Sequence, residues 1–328
     1  MKRNIALVTG GFSGESVISY RSATTIGNHL DREKYNVYKI DINPEGWFYE
    51  DENGVKSAVE KNDFSVQSSA GKITFDAVLI AIHGTPGEDG KLQGYFDMLN
   101  IPYTGCNAAT SAITFNKSYG TAVARKAGIS VANSVLLFRH TPVAAEKILE
   151  QLDLPLFVKP NNGGSSIGMS KVEEAGQLKA AIDKAFNEDE EVIIEEMVIG
   201  REFTAGVYKV NGEIITLPLS EVRKHDSQVF FDFEAKYEGK SEEITPAVVD
   251  ESVAEKVRAA AKKAYKIFNC KGVIRIDFIY NETSGEPYML EVNTVPGQSA
   301  ASIIPQQVEA AGGNLKDFYT HLVEECFS

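Results

Sequence analysis

Short apolar runs alternate with helical patterns along the first third of the chain. Residues 5–8 and 77–82 are continuous apolar runs, as expected for strands that a parallel sheet buries on both faces. Residues 37–42 predict a further strand, and the four-residue spacing from Ile18 to Leu30 predicts a helix between strands. Because strands and helices alternate, the pattern predicts a doubly wound parallel-sheet α/β domain.

This N-terminal α/β domain is predicted to occupy residues 1–105. Residues 91–99 predict a short helix within it, whereas residues 43–69 are polar and turn-rich and show no strong period. The central part, residues 106–194, is predicted to be a small α+β domain. Its helices are expected at residues 108–126 and 173–187.

The C-terminal domain, residues 195–328, is predicted to begin with antiparallel strands and to continue with a helix at residues 253–268. Residues 272–297 then form two β-branched and aromatic runs around the turn-like NETSGE, which is typical of an antiparallel hairpin. Between these elements, residues 221–247 have mixed charge and weak periodicity. A segment of that length is seldom left irregular without a functional reason.

The predicted hairpin places polar side chains on one face. Side chains alternate along a strand, so Arg275 and Asp277 share a face, and Glu291 shares one with Asn293, opposite Leu290 and Val292. If Asp277 lies across from Glu291, two carboxylates and an amide meet. These groups suit Mg²⁺ that takes its other ligands from water and phosphates. The alternative is the solvated polar face of an ordinary hairpin.

Two glycine-rich turns follow buried strands of the predicted parallel sheet, where ligands of such sheets bind. The first, GGFSGES, places Glu15 near the start of a helix, and the second, HGTPGEDG, supplies His83 and Glu88. Glu15 could hold a substrate ammonium or could merely cap the helix. His83 taken alone is more typical of a structural histidine. The first turn lacks the spacing of GxGxxG and of a phosphate-binding P-loop.

The segment KPNNGGSSIGMS is typical of a loop that closes over bound phosphates, since Lys159 supplies positive charge and the glycine- and serine-rich loop after it supplies backbone N–H groups. A flexible hairpin connection would have a similar composition. Lys117 lies in the preceding predicted helix, on a weakly charged stretch.

Charge and cysteine content narrow the functional classes. The 33 basic and 46 acidic residues give a net charge of −13, which disfavours non-specific binding to nucleic acid or to an anionic membrane. The 3 cysteines are widely spaced and form no zinc pattern, so reduced thiols in a cytoplasm are expected. The start, MKRNIALVTGG, is predicted to be a strand rather than a signal peptide, and no apolar stretch is long enough to cross a bilayer.

Taken together, the motifs resemble the D-alanine–D-alanine ligases of the ATP-grasp superfamily from end to end. The matching segments, in the family's order, are GGFSGESVIS, HGTPGEDGKLQG, FNKSYGTAVARKAGI, PLFVKPNNGGSSIGMSKV, EEMVIGREFT, FDFEAKY, RIDFIY and EVNTVPG. The resemblance implies an ATP-grasp fold whose second and third domains grip ATP. It also implies a cytoplasmic homodimer that joins two D-alanines for peptidoglycan synthesis.

The resemblance assigns roles to individual residues. For ATP it implies contacts from Lys117, Lys159, Glu195, Glu196, Val198, Glu202 and Lys236. For two Mg²⁺ ions, with Mn²⁺ possible, it implies Asp277, Glu291 and Asn293 as ligands. For the substrates and the reaction it implies Glu15, His83, Glu88, Ser165, Tyr237, Arg275, Gly297 and Ser302. The run SAASIIP after Gly297 departs from the Thr-Ser-His-Ser run of many relatives.

The implied reaction has two steps. The first D-alanine attacks the γ-phosphate of ATP, and the amine of the second then attacks the acyl phosphate. Residues 221–247 would close over this intermediate and shield it from water. The alternatives are a D-alanine–D-lactate ligase and a non-catalytic nucleotide sensor. The pair Lys236 and Tyr237 favours an amine acceptor, because ester-forming relatives carry histidine after that lysine.

Overall fold

The computed structural model describes residues 2–69, 71–141, 143–164, 166–224 and 241–328. Within these residues the chain forms three sheets with helices between and around them. None of the described helices combines the length and the apolar character needed to span a membrane.

Three parallel strands form the centre of the first sheet, in the order β2 (Tyr35–Asn43), β1 (Arg3–Gly10) and β7 (Ala77–Ile80). Helix α1 (Ser16–His29) follows β1, and helix α2 (Lys91–Leu99) follows β7. Side chains of α1 pack with Leu7 on one face of the sheet, and those of α2 pack with Val8 on the other. The predicted doubly wound arrangement is therefore confirmed.

The first sheet is larger than predicted. Antiparallel strands extend it beyond β2 in the order β3 (Gly46–Glu50), β4 (Lys56–Glu60), β5 (Ser65–Ser68) and β6 (Gly71–Ile73). Sequence analysis found no strong period at residues 43–69 and predicted no strand there, whereas the structure places β3, β4 and β5 in this segment. These strands are short, and β4 buries one side chain, so they show no alternation long enough to detect in the sequence.

The second sheet is antiparallel, in the order β10 (Ser170–Val172), β9 (Leu156–Pro160), β11 (Glu191–Glu196) and β8 (Ser134–Phe138). The surrounding helices are α3 (Ala108–Phe115), α4 (Lys117–Lys126), α5 (Ala145–Leu149) and α6 (Leu178–Phe186), with a 3-10 turn at Ala175–Gln177. The prediction of one helix over residues 108–126 is wrong, because Asn116 is extended and caps α4 by accepting a hydrogen bond from the Tyr119 amide at 3.0 Å. This break puts Lys117 at the first position of α4.

The third sheet is built around the predicted hairpin. Its strand order is β15 (Ser241–Ile244), β14 (Ser220–Lys224), β12 (Arg201–Val210), β16 (Ile274–Asn281) and β17 (Glu286–Asn293), and β13 (Glu213–Thr216) also pairs with β12. Its helices are α7 (Glu251–Ile267), α8 (Ile303–Ala310) and α9 (Leu315–Glu325). Helix α7 covers the third sheet, whereas Phe318 and Leu322 of α9 pack against the first sheet.

The segment at residues 221–247 is only partly the predicted loop. Strands β14 and β15 pair with each other at its two ends, so the expectation of a loop is wrong there. Residues 225–240 of the segment, including Lys236 and Tyr237, lie outside the described residues, as does Ser165.

A buried glutamine ties α8 to the third sheet. The Gln307 Oε1 atom accepts a hydrogen bond from the Gly206 amide at 3.1 Å, and its Nε2 donates to the Thr204 carbonyl and the Ser220 hydroxyl at 3.0 and 3.1 Å. A Cβ atom at Gly206 would lie 2.4 Å from Gln307 Oε1, so this close contact requires glycine.

Replacement of Gln307 by Met should lower the free energy of unfolding by about 2–4 kcal/mol, because the buried Gly206 amide loses its acceptor. Urea denaturation of the variant and the wild type measures the difference. Gln306→Met is the matched control, since Gln306 hydrogen-bonds to the Ala301 carbonyl at an exposed position. Equal losses in the two variants would contradict the role given to Gln307.

Candidate active site

The predicted polar face of the hairpin is present. Asp277 lies opposite Glu291, which was the condition for that prediction, and Arg275 lies opposite Asn293. A β-bulge follows Asp277, after which Phe278 pairs with Met289. Leu290 is the extra residue and lines the same cavity as Glu291. The expectation that Leu290 faces the core with Val292 is therefore wrong.

Asp277 is held by hydrogen bonds from three residues. Arg275 donates from Nε and Nη2 to the two carboxylate oxygens at 3.1 and 2.9 Å, Thr204 donates its hydroxyl at 2.9 Å, and Asn293 donates its amide at 3.2 Å. Burial alone would lower the pKa of Arg275, but the charge and hydrogen bonds of Asp277, together with the charges of Glu291 and Glu88, outweigh burial and raise it. Arg275 is therefore a fixed cation.

The donor set of this face fits a magnesium ion. No group of three or more His, Cys, Asp or Glu side chains suited to a metal occurs in the described part of the chain. Asp277, Glu291 and Asn293 nevertheless offer carboxylate and amide oxygens on one surface. Mg²⁺ is commonly bound by one or two carboxylates together with water and substrate phosphates, so this small oxygen set is sufficient.

A cavity of about 180 Å³ lies between the second and third sheets. The predicted ATP-binding residues that the structure describes all line it: Lys117, Lys159, Glu195, Glu196, Val198 and Glu202. Lys159 Nζ lies 2.6 Å from Glu195 Oε2 inside it. Asp277 and Glu291 border it from the hairpin.

Lys117 is buried, and burial lowers the pKa of its ammonium although the charge of Glu291 opposes this effect. Its Nζ donates to the Gly163 carbonyl at 2.5 Å and lies 4.0 Å from Glu291 Oε2. Asn161, which sequence analysis did not identify, fixes the backbone around it. Asn161 Oδ1 accepts from the Ser118 amide at 2.9 Å, and its Nδ2 donates to Glu191 at 2.6 Å.

A second cavity, of about 460 Å³, adjoins the first. The predicted substrate-site residues within the described ranges all line it: Glu15, His83, Glu88, Arg275, Gly297 and Ser302. A Cβ atom at Gly84 would lie 2.8 Å from Glu15 Oε2, and one at Gly164 would lie 2.8 Å from Oε1. The Glu15 carboxylate therefore contacts a loop of the first domain and a loop of the second.

His83 belongs to a buried hydrogen-bond chain. Its Nε2 lies 2.9 Å from the Ser22 hydroxyl, which accepts from the Gln298 amide at 3.0 Å, and the imidazole also bonds to the backbone of Val295. Burial, followed by the positive charge of Arg275, lowers the pKa of His83 to about 4 although the Val295 bond opposes this change. A neutral imidazole therefore faces the cavity near pH 7.

This shift predicts part of the acid sensitivity of the fold. Between about pH 6.5 and pH 4 the unfolded chain binds a proton that folded His83 does not, so stability falls as pH falls, by up to about 1.4 kcal/mol per unit. The glutamine side chain of His83→Gln does not titrate, so it binds no proton in either the folded or the unfolded chain. Thermal unfolding across this window should show a shallower acid loss for His83→Gln than for the wild type, and equal slopes would contradict the assignment.

Glu88 links the N-terminal domain to the C-terminal domain through its hydrogen bonds. Its two carboxylate oxygens accept hydrogen bonds from the Gly84 amide at 2.7 Å and the Val295 amide at 3.2 Å. Burial, followed by repulsion from Glu15, raises the pKa of Glu88 to about 8. Glu88 thus borders the cavity partly as a neutral acid and joins two loops.

Ser302 lines the larger cavity immediately before α8. Its hydroxyl accepts a hydrogen bond from the Ser299 amide at 3.1 Å and lies 2.7 Å from the Ser299 hydroxyl. A Cβ atom at Gly297 would lie 2.8 Å from the same hydroxyl oxygen. Glycine therefore allows Ser302 to approach the backbone that borders the cavity.

The three sheets and the paired cavities define a protein of the ATP-grasp class. Two family models match the chain, described as the D-ala D-ala ligase N-terminus over residues 4–106 and the D-ala D-ala ligase C-terminus over residues 123–324. The chain belongs to the D-alanine–D-alanine ligase family.

Individual relatives agree with this assignment. The chain is 45% identical to a D-alanine–D-alanine ligase of Bacteroides fragilis over 100% of both chains, and 45% identical to one of Parabacteroides distasonis over 99% of this chain and 98% of the relative. Among solved structures, it superposes on the VanG D-Ala:D-Ser ligase from Enterococcus faecalis with a TM-score of 0.89 at 32% identity, covering 99% of this chain and 100% of that one. An ATP complex of the Bacillus anthracis ligase gives 0.79 at 28% identity, covering 99% and 97%.

Proposed function

We propose that the protein joins two D-alanines into D-alanyl-D-alanine, with conversion of ATP to ADP and phosphate, for peptidoglycan precursor synthesis. One observation supports this most directly. Lys117, Gly163, Gly164 and Glu291 line both cavities. A nucleotide in the smaller cavity would therefore direct its terminal phosphate toward an amino acid in the larger one. That geometry suits transfer of a phosphoryl group to a carboxylate.

In the proposed reaction, Glu15 binds the ammonium of the first D-alanine, and neutral His83 borders its carboxylate. The Lys117 and Lys159 ammonium groups neutralise the phosphate charge that develops during transfer. Ser302 receives the carboxylate of the second D-alanine. Arg275, fixed by Asp277, and the Gly297 amide face the oxyanion that forms when the amine attacks the acyl phosphate.

Asp277, Glu291 and Asn293 would hold two Mg²⁺ ions, with Mn²⁺ as a possible substitute. The metal, when bound, neutralises phosphate charge and orients the oxygens of the transferred group. Arg275 keeps Asp277 in position before any metal arrives, because its two hydrogen bonds fix both carboxylate oxygens.

We also assign the protein to the cytoplasm and to a homodimer. The three cysteines of the chain are free thiols in the structure, which supports a reducing compartment. The homodimer rests on the family resemblance alone. The D-lactate alternative is disfavoured by relatives named D-alanine–D-alanine ligases at 45% identity.

The test is product formation by the purified protein. With ATP, Mg²⁺ and D-alanine, we expect phosphate release that requires D-alanine, and mass spectrometry should detect D-alanyl-D-alanine. Reactions without D-alanine, or with L-alanine, are the controls. ATP hydrolysis that is independent of D-alanine, or a dominant ester product when D-lactate is added, would contradict the proposal.

A further inference from the structure

The larger cavity contains an excess of acidic groups. Four carboxylates line it, those of Glu15, Glu88, Glu243 and Glu291. An acceptor amino acid brings a further carboxylate into this space, and a carboxylate among acids needs a cation or strong hydrogen-bond donors near it.

Most basic groups of this cavity are already committed. Arg275 donates to both oxygens of Asp277, Lys117 donates to the Gly163 carbonyl, and His83 is neutral. Arg21 is different. It lines the same cavity, and it makes no hydrogen bond or ion pair within the described part of the chain.

Arg21 lies on α1, six residues after Glu15, which is about 9 Å along a helix. Two extended residues span about 7 Å. A dipeptide whose ammonium binds Glu15 is therefore long enough to bring its carboxylate close to Arg21. Ser299, Ser302 and Ile303 at the start of α8 line the same cavity, and the N-terminus of a helix favours an anion.

Resting on the proposed function, we propose that Arg21 determines acceptor specificity by binding the carboxylate of the second amino acid. The Arg21 side chain is exposed, and it lines the same cavity as Ser299 and Ser302. The acceptor carboxylate is thereby held between Arg21 and Ser302, with its amine directed toward the acyl phosphate. Acceptors without a free carboxylate lose this contact.

The test is a competition between D-alanine and D-alaninamide as acceptors. D-Alaninamide has no carboxylate to phosphorylate, so it can act only as an acceptor, and D-alanine is the donor for both products. The wild type should favour D-alanyl-D-alanine over its amide. Arg21→Gln should reduce that product ratio about 10- to 100-fold, as expected for the loss of a charged hydrogen bond, and Arg21→Lys should reduce it less.

Arg32→Gln is the matched control, because exposed Arg32 lies just beyond the same helix and, among the described residues, donates only to the Gly27 carbonyl. Its product ratio should equal that of the wild type, and thermal unfolding should confirm that all variants fold. An unchanged product ratio in Arg21→Gln would overturn this inference alone. A wild-type protein that makes neither product would overturn the proposed function as well.

Discussion

Glu291→Gln should lower turnover with ATP and D-alanine by about 10³-fold or more while the fold remains intact. The carboxylate borders both cavities and lies opposite Asp277, so the amide removes one of the two anionic oxygen groups available to a divalent cation. Its side chain is 30% exposed, and therefore little packing is lost. Steady-state phosphate release measures turnover, and isothermal titration measures Mg²⁺-dependent binding of ATP.

Glu286→Gln supplies the matched control, since Glu286 is exposed on the same strand and pairs with Asn281 at the hairpin end. It should retain wild-type turnover. If Glu291→Gln also retained turnover near that of the wild type, the metal-binding role of the hairpin face would be wrong.

Arg275→Lys should reduce the rate constant for turnover by about 10²-fold. Lysine keeps the charge but cannot form the two parallel hydrogen bonds to Asp277 that fix the cation beside the cavity. Because Arg275 also positions Asp277, a proposed metal ligand, formation of ADP should slow as well. Formation of dipeptide should slow more, since the displaced cation faces the oxyanion of the second step. Single-turnover formation of dipeptide, compared with formation of ADP, separates this effect from binding.

Arg201→Lys tests whether the effect is specific. Arg201 pairs with the buried carboxylate of Glu221 at 2.7 Å in the same sheet, but it lines neither cavity. Both variants should lose some stability, and only Arg275→Lys should lose the second step. Equal kinetics in the two variants would contradict the role of Arg275 in stabilising the oxyanion.

The site was more predictable than the fold around it. Strand alternation grouped Arg275 with Asp277 and Glu291 with Asn293, but it left the pairing of Asp277 with Glu291 as a condition. The register near the turn would place Leu290 opposite Asp277 if there were no bulge. The bulge at Leu290 could not be predicted, since no glycine or other local feature marks it. The helix break at Asn116 depends on a side-chain cap, and a continuous apolar pattern on both sides conceals it. The strands at residues 46–73 bury too few side chains to produce a readable period.

Other parts of the site depend on contacts between distant segments. The proximity of Glu15 to Gly164 joins residues from two domains, and sequence spacing carries no information about such a distance. The motif resemblance indicated these residues, but the contacts that each side chain makes are seen only in the folded structure. The commitment of Lys117 and Arg275 to other partners, which distinguishes Arg21, also appears only in three dimensions.

The packing of α9 on the first sheet has a consequence for biosynthesis. Phe318 and Leu322 share one apolar cluster with Leu7, and Tyr35 donates a hydrogen bond to Glu324 at 2.5 Å. The ribosome makes these two halves of one core at opposite times, first the strands and much later the helix. Part of one apolar face of the first domain therefore stays exposed until α9 has been synthesised. Chaperones that bind apolar surface can bind this face throughout that interval.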